Sequence, residues 1–162
     1  MLFLMIKEPY KLDILDSTGN LIPEIELFNA HNYQIKEGSI ESIVNSERVA
    51  RYKEFDQLFT VCAEHLTKEG LHGKLNSDEA VLKDNILHFK TNSHYEREDG
   101  IALDGESIFY DLKKEILSSE NPFTFKQKQS LTNGLSFVYQ MKEGTIKANN
   151  IHSFVQEIGK RK

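Results

Sequence analysis

The sequence has no tryptophan and only one cysteine, Cys62. A lone cysteine forms no internal disulfide, so nothing in the chain is built for an oxidising compartment, and the location it suggests is cytoplasmic, with export by a route without a cleavable signal as the alternative. No Asn-x-Ser/Thr glycosylation signal occurs. No window approaches the ~18 apolar residues that span a bilayer, so no membrane contact is expected. The opening Met1-Leu2-Phe3-Leu4-Met5-Ile6 is apolar but short, with no basic leader and no small-residue cleavage site, which excludes a signal peptide. It reads as a strand entering the core, with Met5 as an alternative start. A phosphate-binding glycine loop, a dinucleotide fingerprint, a Gly-x-Ser-x-Gly elbow and a His-Glu-x-x-His motif are all missing. No cofactor is expected, and the absent motifs lean against an enzyme.

What is present is ordinary for a globular chain. Of 162 residues, 39% are apolar and 28% charged. A chain of this length forms one domain, here 1–162, without a metal or disulfide staple. Residues 1–37 read as β-rich. Lys11–Asp16 and Leu21–Leu27 flank Ser17-Thr18-Gly19-Asn20, a hairpin turn signal. Pro23 cannot donate to a ladder, so the second arm is an edge or begins after it. His31–Ile35 could add a third strand.

From residue 38 to 162 the spacing predicts mainly helix. Ser39 caps a short turn. Val49, Tyr52, Phe55, Leu58, Phe59, Cys62 and Leu66 recur at three- and four-residue steps, one apolar stripe that Gly70 ends. Asn76 and Glu79 have capping-box spacing. The run 86–91 fits helix or strand equally. Residues 91–106 read as a loop or loose hairpin. Further helices are expected over Ile108–Ile116, over Phe125–Met141 and after Asn150. The fold class expected is α+β: an N-terminal antiparallel hairpin or small sheet followed by about five helices.

Charge is uneven. Residues 1–120 carry a net −10, and residues 121–162 a net +5. The basic end holds Lys126, Lys128, Lys147, Lys160, Arg161 and Lys162, with aromatics between them. Touching nucleic acid is one reading of it, but a pI of 5.7 argues against that. Packing over the acidic body, or pairing with a second copy or another protein, are the others.

Candidate sites are few. Cys62 and His65 stand three apart on the expected helix. They could pair as nucleophile and base or contribute to a metal site, but no second cysteine completes a ligand set, so no metal is assigned. If residues 88–94 are extended, His88, Lys90, Asn92 and His94 share one face and could do acid–base work. Glu96, Glu98, Asp99, Asp104 and Glu106 make an acidic run that fails the EF-hand pattern. Asp13–Gly19 lacks the second acid of a phosphotransferase and reads as a turn.

The function expected on these grounds is a non-catalytic protein-binding module. It would be an adaptor, a small chaperone or an inhibitor, taking a basic partner on its acidic face or a second copy of itself. The alternatives are a small enzyme built on His88 and His94, and nucleic-acid contact through the basic end.

Overall fold

In β2 (Ser39–Arg51) Ser42, Val44 and Ser46 are buried, and the residues between them are half-exposed. That period of two is the signature of a strand with one dry face. It holds along the chain. The computed structural model describes residues 19–67 and 69–155, and within them it is all-β, with 71% of the described residues in strands and no helix. β1 (Ile25–Lys36), β2, β3 (Asp56–Leu66) and β4 (His72–Lys83) form four long antiparallel passages.

Five more passages follow, each broken into two strands. They are β5 (Ile86–Thr91) with β6 (Ser93–Arg97), β7 (Ile101–Gly105) with β8 (Ile108–Asp111), β9 (Ile116–Ser119) with β10 (Phe123–Gln127), β11 (Ser130–Gly134) with β12 (Ser136–Gln140), and β13 (Thr145–Asn149) with β14 (His152–Val155). The pairing branches at β4. Its second half pairs with β5 and leads through β8, β9 and β12 to β13, the first wing. Its first half pairs with β6 and leads through β7, β10 and β11 to β14, the second wing. The branched sheet is therefore an up-and-down meander whose passages all bend at one crease.

The crease runs through Glu47, Thr60, Asp78, Asn92, Asn121, Leu135 and Asn150. Left-handed backbone recurs along it, at Asn29, Thr60, Asn92, Ser107 and Asn150. The buried face changes parity there. Inward residues step from Ser46 to Val49, from Leu58 to Val61, and from Ser77 to Ala80. A switch of parity disturbs the ladder, and buried serines meet the displaced carbonyls. Ser46 Oγ lies 2.8 Å from the carbonyl oxygens of both Arg48 and Phe59 and accepts from the Phe59 N–H at 3.2 Å. Ser77 Oγ lies 3.0 Å from the Glu79 carbonyl and 2.5 Å from that of Thr91.

The bend folds the wings onto each other. Phe123 of β10 meets Phe137 of β12 edge-on at 5.0 Å, and Tyr95 of β6 meets Tyr139 of β12 at 5.9 Å. Gly134 makes the first contact possible, because a Cβ there would stand 2.5 Å from the Phe123 ring.

The α+β expectation is thus corrected. The expected stripe Val49–Leu66 is the end of β2 and the whole of β3. Gly70 sits at φ +79° in a strand–strand turn, and Asn76 and Glu79 lie inside β4. The run 86–91 is a strand, and 91–106 is the β6–β7 hairpin and its flanks. The expected helices over 108–116 and 125–141 are strands and turns, and residues 152–155 form β14. The physical reason is the crease, where a three-residue step between buried positions imitates a helical period. β1 begins two residues past Pro23, contains His31–Ile35, and has a partner on one side only among the described residues. Residues 1–6, the Lys11–Asp16 arm and Asp13–Thr18 lie outside the described residues. No helix among those described is long and apolar enough to cross a membrane.

Candidate functional site

The two ends of the roll differ. At one end the wings are packed shut around a buried polar cluster. The Arg97 side chain, 9% exposed, forms a two-point ion pair with Asp99 at 2.6 and 2.8 Å. It also donates to the Tyr139 hydroxyl at 2.6 Å. The Asp99 carboxylate raises the Arg97 pKa further, and Arg97 in turn holds the Asp99 carboxyl below its ordinary range. His65 Nε2 lies 3.1 Å from the Tyr95 hydroxyl. Burial, then Arg97 and His72, lower the His65 pKa to about 4, so the ring is neutral. Gly73 lies under this pair, where a Cβ would come within 2.5 Å of His65 and 2.7 Å of Tyr95.

At the other end β1 and β2 overhang the first wing and leave a cavity of about 320 Å³. Leu27, Ala30, Val44, Val49, Leu58, Leu82, Leu87 and Leu112 give it an aliphatic wall, and His31, Asn32, Tyr33 and Ser46 also line it. The mouth carries polar groups. Gln34 of β1 donates to the Leu112 carbonyl in the β8–β9 turn at 3.2 Å and accepts from Ser42 at 2.9 Å, a clasp between the two sides of the opening. Arg51 and Asp56 pair at 2.7 and 2.8 Å beside it. Outside the cavity β1 exposes large apolar side chains, with Phe28 67% and Ile35 65% exposed. Tyr110, on β8, is buried with its hydroxyl unpartnered among the described residues, and burial raises its pKa.

The residues singled out from sequence are placed apart. His88 lies in the first wing, stacked on Phe109 at 4.1 Å with Nε2 2.7 Å from Ser107 Oγ. Burial and then Lys90 lower its pKa. His94 lies in the second wing, 2.6 Å from Asp104. The two do not form one site. Of the acidic run, Asp99 is held by Arg97 and Asp104 by His94, while Glu98 accepts from the His72 N–H at 3.1 Å. Glu96 and Glu106 are exposed. Lys126 lies in β10 with Lys128 just past its end, and Lys147 lies on β13 in the other wing, so the basic positions are not gathered. Lys160, Arg161 and Lys162 lie outside the described residues.

Cys62 points outward and His65 inward, so they share no site. Burial and Glu64 raise the Cys62 thiol, opposite to what a nucleophile needs. No three His, Cys, Asp or Glu side chains among the described residues group as metal ligands. The cavity residues went unread in the sequence, because Val44, Val49, Leu58 and Leu87 carry only the signal of core residues. Gln34 does not stand out either, because β1 also carries Glu26, Asn29, His31, Asn32 and Lys36.

Two comparisons bear on this architecture. A family model described as lipopolysaccharide-assembly, LptC-related, matches residues 14–150. Among solved structures, LptH of Pseudomonas aeruginosa is similar with a TM-score of 0.58. It is described as the LptA homologous periplasmic component of the conserved lipopolysaccharide transport device. The likeness covers 72% of this chain and 95% of that one at 13% identity, and so speaks for the fold. No curated protein sequence matches the chain.

Proposed function

Because the chain belongs to the LptC-related family of lipopolysaccharide-assembly proteins, we propose that it takes acyl chains of lipopolysaccharide into the cavity under β1 and β2. The observation that carries this reading is the aliphatic wall at the open end of a roll whose other end is packed shut. An apolar cavity selects methylenes, each contributing about 0.8 kcal/mol when it leaves water. The polar clasp of Gln34 and Leu112 at the mouth suits the point where chain gives way to headgroup. Photo-crosslinking from a benzoylphenylalanine at Leu112 to lipopolysaccharide tests it. A crosslink there, absent from an outward position such as Lys147, is expected.

Family membership overturns several expectations drawn from sequence. The acidic binding module for a basic partner, the His88/His94 enzyme and nucleic-acid contact are replaced by lipopolysaccharide assembly. The cytoplasmic location falls as well, since the family acts in lipopolysaccharide transport and the solved relative is periplasmic. A single cysteine excludes an internal disulfide but does not report the compartment. The expectation of a protein partner stands in its coarse form, because the solved relative is one component of a larger device.

In finer form, partners add to the free strand edges. β1, β13 and β14 each pair on one side only among the described residues, which leaves rows of backbone donors and acceptors for another strand.

A further inference from the structure

Beside the crease on the second wing, away from the apolar cavity, lies a groove of about 790 Å³. That volume is within the range of small-molecule sites, roughly 300–1,000 Å³. We propose that it binds a neutral saccharide. The register brings its side chains together. His94, Asp104, Thr124, Asn133 and His152 are cross-strand partners in one outward row over β6, β7, β10, β11 and β14. The crossings between wings add Glu106, Asn121 and Asn150.

The chemistry of the wall selects the ligand class. No lysine or arginine lines the groove, and Asp104 and Glu106 do, so its charge disfavours a phosphate or carboxylate. Histidine and carboxylate side chains do not group as metal ligands, which sets a bound cation aside. What remains is amide-rich. An asparagine side chain offers donors and an acceptor together, matching the paired hydroxyls of a sugar ring. Thr124 donates to Asn133 Oδ1 at 2.9 Å, which leaves the Asn133 NH₂ for a ligand. Among the described residues the side chains of Asn121, Asn150, Glu106 and His152 have no partner. Pro122 and the half-exposed Leu135 supply the apolar surface on which the C–H face of a sugar would rest.

The saccharide could come from lipopolysaccharide itself or from a separate glycan strand, and the test has an arm for each. The groove does not rest on the acyl-chain reading, because the two sites share no residue. The full chain, labelled with ¹⁵N, is titrated with delipidated, dephosphorylated lipopolysaccharide oligosaccharide and, separately, with an N-acetylglucosamine tetramer. Saturable shifts confined to Asn121, Asn133, Asn150 and their neighbours are expected with at least one probe, and the probe that saturates names the source. The exposed N121A/H152A double variant should weaken that binding at least tenfold with an unchanged Tm. The cavity variant Leu112→Asp should leave it intact, even if lipid capture fails. No saturable shift with either probe, shifts elsewhere, or full binding by N121A/H152A would overturn the proposal.

Discussion

Ser77 has one hydroxyl proton and two carbonyls within reach, those of Glu79 and Thr91, in a buried setting. Ser77→Ala strands those oxygens away from water. A loss of about 1–3 kcal/mol is expected in urea unfolding, more than for a Ser→Ala change at exposed Ser39. His65 gives a pH signature. Its pKa is about 4 in the folded chain, against an ordinary 6.5. The unfolded chain therefore binds a proton that the folded chain refuses between those values. Stability from this group is full above about pH 6.5 and is lost as pH falls toward 4. His65→Gln should flatten the dependence of the urea midpoint between pH 7 and pH 4.5. An equally steep fall in the variant would place the titrating group elsewhere. Gly73→Ala forces a methyl against His65 and Tyr95, and about 1–3 kcal/mol of overpacking is expected in the same assay.

At the level of elements, the crease explains both the architecture and what the sequence hid. Thr60 sits at φ +52°, a region that β-branched residues rarely enter. Thr60→Asn keeps a polar side chain at this exposed position and relaxes the backbone, so a gain of roughly 0.5–1 kcal/mol in chemical denaturation is expected. The same geometry misleads a reading by period. Leu58 and Val61 are both buried and three apart, as on a helix, yet each belongs to a two-residue alternation that changes phase at Thr60. Ser46/Val49 and Ser77/Ala80 do the same. No local rule flags the phase change, because the signal is the alignment of Glu47, Thr60, Asp78 and Asn92 across strands that pair only in the fold. Local chemistry was legible where it needed no partner, as in Pro23 lying before a strand. The His94–Asp104 pair was not, since it depends on the β6–β7 register.

For the whole molecule, one sheet bent along one line gives two unlike ends. The packed end holds the wings together through Phe123, Phe137, Tyr95, Tyr139 and Arg97. The open end carries the partly aliphatic cavity and the edge strand β1 with its exposed Phe28 and Ile35. The measurement that tests the central reading most directly is photo-crosslinking of lipopolysaccharide to the chain carrying benzoylphenylalanine at Leu112, compared with the same probe at outward-facing Lys147. An adduct is expected from position 112, none from 147, and the 112 adduct should be competed by unlabelled lipopolysaccharide. Equal adducts at both positions, or none at 112 in a folded chain, would contradict that reading.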